Sequence, residues 1–222
     1  MFKLLQVEGL DIALNAMQHP VGKYGNANFD GKNLFGAEDS QVKRAENLTK
    51  QPTNSGHPNF LSGIMVWVQI TEGHAFWMQW QRYHFQQIIS SESKMYTVAK
   101  GFIDDKVSDR VSDITIRVCN DLIGLYNAFD DMPQNAIESE LNNLEIPCEV
   151  PKNKAEMFEI LVDNIPMGYQ LTADVVLNYL QLRNMYEQRK KHKMSYWNTD
   201  FVKFVETLPY SEWILGGKEK LL

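Results

Sequence analysis

A chain of 222 residues with 44% hydrophobic and 11% aromatic side chains carries enough apolar mass for a packed core, which excludes disordered and fibrous classes. Its formal charge of -6 excludes the broad basic face that polynucleotide binding needs, although single basic groups remain available for small anions. No charged leader with an apolar run and no long uninterrupted apolar stretch is evident, so a cytoplasmic protein without a membrane partner is expected.

Residues 2–7 read as a strand, and Leu10, Ile12, Ala13, Leu14 and Met17 then recur with helical spacing until His19-Pro20. Residues 20–58 are rich in Gly, Asn, Lys and Asp, with one short helix expected over 37–48. So long an excursion reads as a functional cover or a mobile surface loop. Ile64 to Ile70 has strand composition. Phe76, Trp77, Trp80, Tyr83, Phe85, Ile88 and Ile89 follow on almost every face of a helix predicted over 75–89, which is therefore expected to be enclosed by its own domain or by a neighbouring subunit.

A long helix is predicted over 107–130, closed by Pro133, with Asn135 and Glu138 forming a capping box for a short helix to about Leu144. Another helix is expected over 153–163. A long helix capped by Thr172 then runs to the basic stretch Arg189 to Lys193, read as a solvated helix end that complements the dipole. Asn198 or Thr199 caps a last helix ending at Leu208-Pro209. With no repeat and no linker, the chain reads as one α+β domain over 1–222: a small, mostly antiparallel sheet wrapped by several long helices.

Chemistry concentrates in Gln79-Trp80-Gln81-Arg82-Tyr83-His84, followed by Glu92-Ser93. Arg, Gln and Glu are expensive to desolvate alone, so their mixture with large aromatics suggests a concave site that meets a ligand or another subunit. Arg82 suits a phosphate or base contact, or an ion pair with Glu72 or Glu92. His74 and His84 share no metal-ligand spacing, so no metal site is expected. The serines at 90, 91 and 93 lack a nucleophile elbow, which argues against a serine hydrolase. Cys119 and Cys148 sit in unlike contexts outside any CxxC pattern and read as two buried thiols.

Two stretches together resemble the flavin-dependent thymidylate synthases. Gln79-Trp80-Gln81-Arg82-Tyr83-His84 followed by Ser91-Glu92-Ser93 is similar to that family's Gln-Trp-x-Arg-His-Arg and Asn-Glu-x-Ser. Asn178-Tyr179-Leu180-Gln181-Leu182-Arg183 is similar to its Asn-Phe-Leu-x-Leu-Arg. The resemblance implies FAD as cofactor, with NADPH and methylenetetrahydrofolate as cosubstrates, a pyrimidine nucleotide as substrate and a homotetramer whose sites are shared between subunits. It implies Arg183 and Ser93 as catalytic residues, His57, Arg82, His84 and Asn178 at the flavin, and Gln79, Arg82, Glu92, Ser93 and Arg183 at the nucleotide.

The departures are specific. Tyr83 stands where the family has His, His84 stands where it has a second Arg, and the stretch to Glu92 is two residues longer. Since His offers fewer donors and a pH-dependent charge in place of a planar fork, these changes bear on phosphate affinity. They leave room for a pyrimidine-nucleotide-binding relative with different one-carbon chemistry or none, or for an oligomeric helical interaction protein.

Overall fold

The computed structural model describes residues 1–221 and has the expected α+β composition. Its elements are β1 (Phe2–Glu8), α1 (Leu10–Ala16), the short hairpin β2 (Asn28–Phe29) and β3 (Leu34–Phe35), α2 (Asp39–Thr49), β4 (Met65–Gly73), α3 (His74–Trp80) and β5 (Gln86–Ser91). There follow α4 (Lys94–Thr97), α5 (Asp113–Ala128), α6 (Gln134–Asn143), α7 (Lys154–Asn164), β6 (Gln170–Asn178), α8 (Tyr179–Arg189), α9 (Val202–Glu206) and α10 (Ser211–Leu215). The main sheet has the order β1-β4-β6-β5. Phe2 faces Ile70 and Glu8 faces Met65 in an antiparallel register broken by a bulge between Leu4 and Gln6. None of the described helices is long and apolar enough to cross a membrane.

The chain divides into two compact units, one of residues 1–70, 83–90 and 173–222, the other of residues 71–82 and 91–172. In the first, Val66, Val68 and Ile70 on β4 and Ala173, Val175 and Leu177 on β6 are buried at every second position, the period a strand imposes on its inward face. Leu14, Leu61, Tyr179, Leu182, Tyr186 and Trp197 extend this core. The excursion after α1 is tied down: the Asn15 side chain both donates to the Ala27 carbonyl and accepts from the Ala27 amide, each at 2.9 Å, and the Gln41 amide donates to the Leu14 carbonyl.

The second unit is mainly helical around Ile103, Leu122, Ile123, Ile137, Leu141, Met157 and Leu161. Ser112 caps α5 by accepting from the Thr115 amide, so the helix starts six residues later than predicted and Val107 instead bridges to Tyr169. Pro133 occupies the N-cap of α6, displacing Asn135, while α7 falls where a helix over 153–163 is expected and is capped by Asn153, whose side chain accepts from the Glu156 amide.

Four further expectations are corrected. The stretch 171–178 is a strand: Leu171, Val175, Val176 and Leu177 mimic a helical stripe, but the buried positions alternate by two. The helix predicted over 75–89 stops at Trp80, after which 86–91 is extended, and Met78 at 62% and Phe85 at 74% exposure show that it is not enclosed within the chain. Cys148 is exposed, whereas Cys119 is buried as expected, its thiol pushed up to about 11 by burial. The last helical stretch begins as a wide turn over Tyr196–Phe201 before α9, without an Asn198 or Thr199 cap.

Candidate functional site

In the second unit, α3 begins where Gly73 passes so close to Met167 that a Cβ would stand 2.8 Å from the Met167 carbonyl oxygen. That carbonyl accepts from the His74 amide at 2.9 Å and so fixes the helix start. Phe76, Trp77 and Trp80 are buried together, with ring centroids 5.4 to 6.4 Å apart. The Trp77 indole N–H donates to the Glu72 carbonyl at 3.0 Å and the Leu171 carbonyl at 3.2 Å, which satisfies the one polar atom such a ring must bury. The aromatic half of the motif is thus a structural base.

Its polar half is not uniformly committed. Arg82 is exposed in the turn after α3, and its guanidinium makes no hydrogen bond or ion pair among the described residues, so neither Glu72 nor Glu92 holds it. Gln79 is half-buried on α3. Glu92 is taken: its carboxylate accepts from Lys106 Nζ at 2.9 Å and from the Thr172 amide at 2.9 Å, while its own amide donates to the Thr172 carbonyl. Burial opposes its ionisation, but the Lys106 and Thr172 hydrogen bonds outweigh burial and hold the carboxyl below the usual value. Ser93, at the N-cap of α4, leaves its hydroxyl without a hydrogen bond among the described residues. Lys106 was not foreseeable, since nothing about an Asp-Asp-Lys loop marks its lysine as a partner for Glu92.

In the first unit, Tyr83 and His84 follow in the turn that leads into β5. Tyr83 Oη accepts from Arg189 Nε at 2.6 Å and donates to Gln188 Oε1 at 3.2 Å. The Arg189 guanidinium lies 4.3 Å from the Trp197 ring centroid and 5.3 Å from that of Tyr83, a cation–π arrangement on two rings. The basic run is therefore not a wholly solvated helix end. His84 is exposed, and its imidazole has no hydrogen bond among the described residues.

Asn178 is the N-cap of α8, its side chain accepting from the Gln181 amide at 2.8 Å. This corrects the expectation that it lies within a helix begun at Thr172. Arg183, one turn on, donates to the Thr49 carbonyl at 2.6 Å and the Gln51 carbonyl at 2.9 Å. Burial draws its pKa down, partly offset by the charge of Glu187. Both Arg183 and Asn178 thus serve the backbone in this conformation. Exposed His57 opens a short helical turn, His57–Gly63, with Pro58 behind it, and lines a cavity of about 500 Å³ with Arg44 and Phe60. Arg44 carried no signal in the sequence, being one basic residue on an otherwise ordinary polar helix.

The site residues thus sort into free and committed groups. Arg82, His84, His57 and Ser93 present side-chain donors to solvent or a ligand. Glu92, Asn178 and Arg183 are occupied by main-chain partners, and an ionised, doubly bonded Glu92 is a poor general acid.

No known family's sequence profile matches the chain, and no curated protein matches it by sequence. Solved structures do. Thymidylate synthase X (ThyX) from Helicobacter pylori, crystallised with FAD and dUMP, superimposes with a TM-score of 0.65 at 13% identity, covering 99% of this chain and 100% of that one. A second structure of the flavin-dependent enzyme from the same organism, also with FAD and dUMP, gives 0.64 at 12% identity over 96% of each chain. The chain has the fold of flavin-dependent thymidylate synthase along its whole length.

Proposed function

We propose that the protein is a flavin-dependent thymidylate synthase-like transferase, acting as one domain over residues 1–222, that methylates a deoxyuridine nucleotide. The observation that carries this reading is the fold shared end to end with enzymes solved with FAD and dUMP. It gains support from Arg82, whose guanidinium, directly after α3, is unpaired among the described residues.

A bound FAD would supply hydride and a folate cosubstrate the one-carbon unit. The chain's own residues bind and orient. Arg82 offers its planar fork to phosphate oxygens, and His84 adds a further imidazole donor. Ser93 donates its free hydroxyl to the nucleotide beside Gln79, while His57 and Asn178 serve the flavin. Glu92 acts by holding Thr172 and Lys106 in place. Arg183 contributes to the nucleotide site only where a ligand oxygen replaces or shares one of its two carbonyl acceptors. In this reading a homotetramer completes the sites, with NADPH as the reductant.

A second reading is favoured by one observation. Tyr83, at a family His position, is locked to Arg189 and Trp197, which withdraws that motif position from ligand contact. A relative that binds a pyrimidine nucleotide but performs altered one-carbon chemistry, or none, fits this arrangement.

The spectrum of purified protein before and after FAD, with thermal melts in dUMP, tests both. Flavin absorbance that stays with the protein, and stabilisation by dUMP that is lost in Arg82→Ala, are expected for the synthase reading. Stabilisation by dUMP without flavin uptake selects the second reading. Neither response at micromolar to millimolar ligand sinks both.

A further inference from the structure

After α10 the chain reverses through Gly216 and Gly217, both left-handed at φ +65° and +75°. The stretch 218–221 that follows is exposed, and its one apolar side chain, Leu221, is 55% exposed. Polar bonds fasten it instead. Lys218 Nζ donates to Glu187 Oε1 at 2.8 Å, Lys220 Nζ to the Glu206 carbonyl at 2.6 Å, and the Leu221 amide to Glu206 Oε1 at 2.7 Å. Glu206 is buried, and the same carboxylate oxygen accepts from Tyr186 Oη at 2.5 Å. Residues 216–221 thus form a strap laid across α8, through Glu187, and α9, through Glu206.

The root of the strap presses on Arg183. A Cβ on Gly216 would stand 2.9 Å from the Thr49 carbonyl oxygen and 3.0 Å from Arg183 Nη2. A gap too small for a methyl group is too small for a ligand oxygen, so on this side the guanidinium is shut in with the carbonyls it already holds. The fastening itself is weak, because exposed ion pairs add little and no apolar side chain is buried to reinforce them.

We propose that the strap is an autoinhibitory latch. Closed, it keeps Arg183 on the Thr49 and Gln51 carbonyls. Released, it frees the guanidinium for an oxygen of the nucleotide. The latch rests on the reading above that places Arg183 at the nucleotide, and it makes ligand and strap oppose each other reciprocally.

The probe is dUMP, titrated by calorimetry into the full chain, into a chain ending at Gly217, and into Leu221→Pro, which removes the amide donor at an exposed position and leaves the core intact. Hydrogen exchange of the peptide 216–221 is followed with and without dUMP. Faster exchange of that peptide on dUMP binding is expected, with affinity about fivefold or more higher in both variants. The gain should vanish when Arg183→Gln is added to either. Binding confined to the two variants also upholds the latch. Saturable binding of equal or lower affinity in the variants, unchanged exchange, or a gain that survives Arg183→Gln overturns the latch and leaves the nucleotide reading standing. No binding in any chain, with or without FAD, overturns both.

Discussion

Tyr83 Oη and Arg189 Nε lie 2.6 Å apart, and the same guanidinium rests on Trp197. This pairing gives the departure at position 83 a structural role. A histidine there would have a smaller ring and no phenol oxygen, and Arg189 would lose its acceptor.

Tyr83→Phe keeps the ring and removes the acceptor, so it should cost about 1.5–3 kcal/mol, as for a hydrogen bond to a charged group. Tyr83→His should cost at least as much. Chemical denaturation of Tyr83→Phe, Arg189→Lys and the double variant tests the coupling. Strict additivity would show that the pair is geometric only.

Glu92 gives a pH signature. Its folded pKa lies below the ordinary 4.5, so its contribution is complete above that value and is lost as pH falls through the folded pKa. The pair with Lys106 is about a third exposed on each side, which limits the effect to roughly 1 kcal/mol or less. Wild type should therefore exceed Glu92→Gln in stability at pH 6 to 7, with the gap closing below pH 4.5. A gap that persists at pH 3 would assign the loss to packing.

The N-terminal β1, α1 and β4 were legible because their apolar spacing and stop signals agree. The segment 171–178 was not, since its run of apolar residues fits either period and only the pairing of β6 in the sheet decides. Gln79 to His84 and Asn178 to Arg183 stood out by composition and order, which sufficed to anticipate the fold. What each polar group does depended on distant partners: Lys106 for Glu92, Arg189 for Tyr83, and the Thr49 and Gln51 carbonyls for Arg183. Those partners leave no local pattern.

His74 should impose an acid limit on the stability of the second unit. Its Nε2 is buried without a hydrogen-bond partner among the described residues, and burial, aided by the charge of Lys94, lowers its pKa from 6.5. The unfolded chain therefore takes up a proton first as pH falls below 6.5, and stability declines until the folded pKa is passed. His74→Gln should flatten the slope of unfolding free energy against pH between 6.5 and 5. An unchanged slope would show that another group titrates there.

Arg183 separates stability from ligand binding. Its two Nη atoms hold carbonyls at the end of α2 and just beyond, and Gly216, at φ +65°, passes close enough that a Cβ would stand 3.0 Å from Nη2. Removing the side chain leaves the part-buried Thr49 carbonyl and the exposed Gln51 carbonyl to be resolvated, so Arg183→Ala should cost about 1–3 kcal/mol. Arg183→Lys can reach one carbonyl and should recover about half. Gly216→Ala should also destabilise, by crowding the guanidinium and by straining a left-handed backbone. If Arg183→Ala melts like wild type yet loses its response to dUMP, the carbonyl contacts are incidental and the residue belongs to the nucleotide. A fall in melting temperature with an undiminished dUMP response assigns it to the scaffold instead.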